Sequence, residues 1–149
     1  MSSVTLNPVT QVSPSSFYAT PLVKSVGGDV TSQIKLLEQL KDGWLDGYGK
    51  APSKAGLAWL AEQLKQHSCN KPLPYLYPIP DGGIQAEWSF GQYEVTLKIN
   101  METRRGQWYC MDMSTDIDDA GEYCDLDLQS SDSWTWFFRR ISQLQEEFV

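Results

Sequence analysis

The sequence is poor in the residues that most often carry chemistry. It holds one histidine, His67, and three cysteines, Cys69, Cys110 and Cys124, with no CxxC pair among them. A zinc finger brings Cys and His ligands in two closely spaced pairs, so that class is excluded, and His67 reads as a surface histidine at a helix end. A nucleophile with a general base is equally hard to assemble. His67 stands two residues from Cys69, but "HSC" offers no third group to orient the imidazole. Glu87 falls by strand period on the polar face opposite Trp88, where a solvated glutamate is the usual finding. These absences point away from an enzyme, a metal centre or a cofactor.

Charge is missing from the start. No charged side chain precedes Lys24, and the segment is rich in Ser, Thr, Val and Pro. A signal peptide needs a basic start and an apolar core of roughly 7–15 residues, which the prolines and serines interrupt here. No run approaches the roughly 20 apolar residues needed to cross a bilayer. The expectation is a cytoplasmic protein with no membrane contact and with reduced cysteines, although Cys110 and Cys124 lie in neighbouring predicted strands close enough to touch. Residues 1–28 read as an extended or mobile arm whose Phe17, Tyr18, Leu22 and Val23 favour docking on a single domain over 29–149.

What is present is a packable core. Six tryptophans in a chain of 149 residues supply large apolar area per residue, enough to exclude disorder for most of the chain. Val30, Ile34, Leu37 and Leu40 share a helical face after the cap candidates Asp29 and Thr31, with Gly43 as the stop. A second helix opens at Ser53 after Pro52 and turns Leu57, Leu60, Ala61 and Leu64 inward. From Pro72 the period becomes two. "IQAEWSF" and "YEVTLKIN" form a hairpin, "GQWYCMDMS" and "GEYCDLDL" supply two further strands, and the prolines of "PYLYPIP" confine it to an edge. "SSDSWTWFFRRISQLQEEFV" places Trp134, Phe137, Phe138, Ile141, Leu144 and Phe148 on one stripe of a last helix, capped from Ser130, Ser131 or Asp132. The fold class is α+β: two N-terminal helices, an antiparallel meander of four or five strands, and a C-terminal helix packed on one sheet face.

Between the first two helices lies "DGWLDGYGKAPS". A phosphate-binding loop needs a preceding strand and a lysine beside Ser or Thr, whereas here a helix precedes and Lys50 is three residues from Ser53. Asp42 and Asp46 would also repel a phosphate. The glycines suit positive backbone dihedrals in a tight reversal, with Trp44 and Tyr48 tucked back on the sheet. Trp44, Asp46 and Tyr48 remain the candidates should this be a small-molecule loop.

"GWLDGYGKAPS", followed some thirty residues later by "PIPDGGIQAEW", resembles a pattern of small uncharacterised bacterial proteins in which a Trp-Gly-Tyr-Gly loop precedes an Asp-Gly-Gly hairpin ending in Glu-Trp. The likeness covers residues 35 to 99. It implies a single-domain accessory factor of a mobile or defence-related gene pair and carries no catalytic residues. The uncharged arm and the acidic third quarter depart from that pattern.

That quarter, "DMSTDIDDAGEYCDLDLQSSD", holds eight acids and no Lys or Arg, so it accounts for −8 against a net charge of −7 and leaves the rest at +1. Three readings of this window compete. Asp116, Asp118, Gly121 and Asp127 stand at positions 1, 3, 6 and 12 of an EF-hand-like calcium loop, but Ala120 occupies position 5, the last ligand is Asp rather than Glu, and the flanks read as strands. A solvated hairpin whose charges guard sheet edges is the bland alternative. The third reading is a partner surface: Asp112, Asp125 and Asp127 on strands, with Asp116, Asp118, Asp119 and Glu122 on the connecting loop, form a band that attracts a basic protein and repels nucleic acid. Trp136, off the apolar stripe as Trp59 is on the second helix, is a candidate anchor beside it. The expectation is a non-catalytic binding protein of the antitoxin, immunity or inhibitor type, with a basic protein as partner.

Overall fold

The computed structural model describes residues 29–68, 72–114 and 121–148, with side chains through Glu146. The expected arm, Cys69, and the acids Asp116, Asp118 and Asp119 lie outside the described residues, as does the side chain of Phe148. The described chain is α+β, with three helices and a five-stranded antiparallel sheet.

Helix α1, Val30–Glu38, starts where Asp29 Oδ1 accepts the N–H of Thr31 at 2.9 Å. It ends before Gly43, because Gln39 and Leu40 bond back to the carbonyls of Leu36 and Leu37 in tight three-residue steps. Ser53 caps α2, Lys54–His67, through the N–H of Gly56. Leu57, Leu60 and Leu64 of α2 are buried with Ile34 and Leu37 of α1.

The strands are β1 Tyr75–Pro78, β2 Ile84–Phe90, β3 Tyr93–Ile99, β4 Arg105–Asp112 and β5 Glu122–Asp127. Each pairs only with its sequence neighbours, in the order β1-β2-β3-β4-β5, so β1 and β5 are the two edges. Register sorts the side chains by face. One row across the sheet is Leu76, Ala86, Leu97, Trp108 and Cys124; the row beside it on the opposite face is Tyr75, Glu87, Thr96, Tyr109 and Tyr123.

Helix α3, Ser131–Phe148, contributes Trp134, Phe137, Phe138, Ile141 and Leu144 to the same buried cluster as the first row. Phe137 meets Trp88 at 5.0 Å and Trp108 at 5.1 Å between ring centroids, both edge to face. Burying a ring of this kind stabilises by about 1.5–3 kcal/mol. Indole N–H groups also tie loops to the core, from Trp88 to the Pro72 carbonyl and from Trp134 to the Leu128 carbonyl. His67 is half-buried rather than a free surface group, because its ring stacks on Trp134 at 5.7 Å.

The β1 edge is closed by one side chain. Gln33 of α1, almost fully buried, accepts the N–H of Leu76 at 2.8 Å and donates to the Pro74 carbonyl at 3.0 Å. The amide thereby does for β1 what a further strand would do. The "PDGG" turn sets the neighbouring hairpin: Asp81 Oδ1 accepts the N–H of Gly83, and Gly82 has φ of 92°. At Gly83 a β-carbon would lie 2.6 Å from the Ile99 carbonyl oxygen, so only glycine fits there without a backbone shift.

Candidate functional site

Loop 42–53 closes on its own backbone. Gly43 and Gly49 join through an N–H···O bond of 2.7 Å, Leu45 and Tyr48 exchange two, and Asp42 Oδ1 accepts the N–H of Ala51 at 3.0 Å. Its glycines at 43, 47 and 49 all have positive φ, and Asp46 joins them at 51°. Lys50 donates to the Pro80 carbonyl, which places the Trp-Gly-Tyr-Gly loop against the Asp-Gly-Gly turn. Trp44 is half-buried and donates to the Lys50 carbonyl at 3.0 Å. Tyr48 is not tucked onto the sheet: it is 77% exposed at the loop tip, because the reversal at Gly47 and Gly49 turns it outward. Asp46 is also exposed. Of the three only Trp44 is partly covered, and no hydrogen bond joins it to the side chain of Asp46 or Tyr48.

The described acids of the 112–132 window lie on β4, β5 and α3, with Asp112 and Glu122 on the face of Cys110 and Asp125 and Asp127 on the open face. Asp112, at the end of β4, accepts the N–H and hydroxyl of Ser114 at 2.9 and 2.6 Å, and these bonds hold its carboxyl below the usual value. Glu122 is the first residue of β5 and not part of the connecting loop. Arg140 of α3 reaches both of its carboxylate oxygens through Nε, at 3.1 and 3.3 Å, and through Nη2 as well. A bidentate pair of this kind fixes α3 to the start of β5.

Asp125 accepts the hydroxyl of Tyr123 at 2.9 Å, and that hydrogen bond raises the Tyr123 phenol. Burial and the charge of Asp125 raise Tyr109 beside it. Asp127 accepts the N–H of Gln129 at 3.1 Å in the turn before α3. In the ladder Asp127 stands opposite Arg105, whereas Asp125 stands opposite the neutral Gln107. Neither Glu122 nor Asp125 has a basic residue directly across from it in the ladder, and of the two only Glu122 is held by an arginine, Arg140 of α3.

Trp136 stands on α3 with 36% of its surface open, its ring edge-on to Trp108 at 5.5 Å. Trp59 is packed against the core, 6.5 Å from Trp134, with the Arg104 guanidinium 5.0 Å from its ring. Arg104 has φ of 61°, an αL conformation in the β3–β4 turn, and the stacking on Trp59 gives a reason for a long cation there. The sequence carried no signal for this pair.

A shallow cleft of about 320 Å³ on the open sheet face runs from Asp81 and Asn100 past Lys98 and Arg105 to Asp125. Its lining side chains are largely exposed and include two cations and two acids, so the lining carries no net charge. Among the described residues no group of three or more His, Cys, Asp or Glu is placed to hold a metal ion. No described helix is long and apolar enough to cross a membrane. Compared with known protein families, curated proteins and solved structures, the chain matches no family model, no curated protein and no solved structure.

Proposed function

We propose that this is a non-catalytic binding protein, of the antitoxin, immunity or inhibitor kind, that engages a basic protein partner in the cytoplasm through its acidic quarter. The observation that carries the reading is the concentration of charge: eight acids and no base within residues 112–132, in a chain otherwise at +1. Asp112, Glu122, Asp125 and Asp127 from that window lie on the last two strands, Asp112 and Glu122 on the face that holds the Trp108–Trp136 ring contact and Asp125 and Asp127 on the opposite face. Such a local excess of negative charge raises the encounter rate with a positive surface and repels nucleic acid. In this reading residues 29–149 form one domain, the last helix is the cover of one sheet face, and the ring contacts of Phe137 with Trp88 and Trp108 support that cover. The resemblance of the Trp-Gly-Tyr-Gly and Asp-Gly-Gly segments to accessory factors of defence-related gene pairs accords with it.

The test is co-purification from the native host at low ionic strength. The expected result is a complex with a protein that presents a basic surface, dissociating as salt rises and forming more slowly when Asp116, Asp118, Asp119 and Asp125 are changed to Asn. Recovery of the monomer alone, at low salt and without a partner, overturns the reading.

A further inference from the structure

We propose that the outer edge of β5 is a strand-addition site for an extended, Lys- or Arg-bearing segment of a protein partner. The inference rests on the acidic-surface reading above and gives it a mode of binding. The two edges of the sheet are not alike. Gln33 occupies the β1 edge, bonding the N–H of Leu76 and the carbonyl of Pro74. At the β5 edge, Leu128 N–H bonds the Arg104 carbonyl, which sets the phase of the last ladder. Residues 122, 124 and 126 then turn their backbone groups toward β4, and Tyr123, Asp125 and Asp127 turn theirs away from it.

Among the described residues no acceptor meets the N–H of Tyr123 or Asp125. The Asp125 carbonyl receives only the thiol of its neighbour Cys124, at 3.5 Å, a weak bond that an incoming amide displaces. The same alternation places the side chains of Tyr123 and Asp125 on the open face, so a strand bonding to this edge sets its own side chains directly beside them.

Charge decides which strand fits. If two copies of this chain joined through their β5 edges in antiparallel fashion about Asp125, that carboxylate would face its own counterpart, and Asp127 would lie near the same row. Like charges directly opposite are destabilising, so the edge disfavours a second copy. A lysine or arginine opposite Asp125 meets an acid that faces the neutral Gln107 across the ladder and forms no ion pair among the described residues. The ring of Tyr123, 52% exposed, gives the stem and charge of such a side chain a face to lie on. Main-chain bonds supply the attachment and alternate side chains the selection, as in other strand additions.

The test uses the full chain and three synthetic octapeptides that alternate lysine and threonine. One is unmodified, one is N-methylated at every lysine amide, and one at every threonine amide. Binding is read by fluorescence anisotropy at low salt, and protection of the Tyr123 and Asp125 amides by hydrogen exchange. The expected result is that one methylated isomer binds at least about tenfold more weakly than the other, because only one set of amides faces the edge. An antiparallel strand loses with lysine methylation and a parallel one with threonine methylation. Slower exchange at the Tyr123 and Asp125 amides accompanies the unmodified peptide, and Asp125→Lys weakens its binding by about tenfold or more. Equal binding of both methylated isomers overturns strand addition and leaves the acidic surface as a charge-only site. Absence of binding by the unmodified peptide also overturns it, and the co-purification experiment then decides the wider reading by itself.

Discussion

Gln33 and Leu76, 43 positions apart in sequence, meet through a hydrogen bond of 2.8 Å that joins α1 to the first strand. The glutamine is buried, so its loss strands a backbone N–H and a carbonyl that water cannot reach. Gln33→Ala is expected to lower stability by about 1–3 kcal/mol. Urea denaturation followed by tryptophan emission measures this directly, and a change below the scatter of surface substitutions would contradict it.

A second expectation concerns the Asp-Gly-Gly turn. A β-carbon on Gly83 would sit 2.6 Å from the Ile99 carbonyl oxygen, which belongs to backbone and cannot swing aside. Gly83→Ala is expected to destabilise by about 1–3 kcal/mol through this overlap. Gly47, with φ of 93° and a β-carbon that would meet nothing within 4 Å, isolates the dihedral effect, whereas Gly83 has no positive φ and isolates the contact. A larger loss at Gly47 than at Gly83 in thermal melts would show that dihedral strain, not contact, governs these glycines.

Alkaline titration should single out Tyr77. Burial, with the charge of Glu87 adding to it, pushes its phenol from 10.0 to about 12. A tyrosine gains charge when it loses its proton, so a raised folded value means that the folded state keeps the neutral form longer. The associated stability is complete below pH 10 and is lost as pH rises through 12. Absorbance at the phenolate band should therefore show a last tyrosine titrating near pH 12 that disappears in Tyr77→Phe. A wild-type titration complete near the ordinary value would rule this out.

The acids should separate by role. Glu122 is bound by Arg140, and Glu122→Gln is expected to cost about 0.5–1 kcal/mol, an amount typical of a partly exposed pair. Changing Asp116, Asp118 and Asp119 together to Asn should leave the melting temperature equal or higher, since removing like charges relieves repulsion. Stopped-flow association with a basic partner should slow in the triple variant and lose part of its salt dependence. Unfolding of the triple variant would mean that these carboxylates hold structure.

Much of the fold was legible because its signals are local. The period-two alternation in "IQAEWSF" and "YEVTLKIN" marks β2 and β3, and Asp29 and Ser53 cap the helices as short oxygen side chains do. The prolines of "PYLYPIP" placed β1 at an edge. What escaped is long-range or conformational. Gln33 carries no sequence sign that it will substitute for a strand, and no pattern pairs Arg104 with Trp59. Tyr48 was expected inward because aromatics usually bury, but the positive dihedrals on either side of it send the ring out. Glu122 was expected on a loop, and only the β4 ladder shows that pairing begins at that residue, opposite Cys110. For the site, composition marked the acidic window, but which acids face a base, and which sheet face each takes, is decided by register.

The meander order has a further consequence for the newborn chain. Every hairpin joins neighbours in sequence, so the five strands can zip together while synthesis is still in progress. The rings that lie against Trp88 and Trp108 belong to α3, which leaves the ribosome only after β5. During that interval a sheet with a bare tryptophan face is exposed to every other nascent chain nearby. A stop codon placed after Gln129 would make that interval permanent and turn a well-folding chain into a chaperone client.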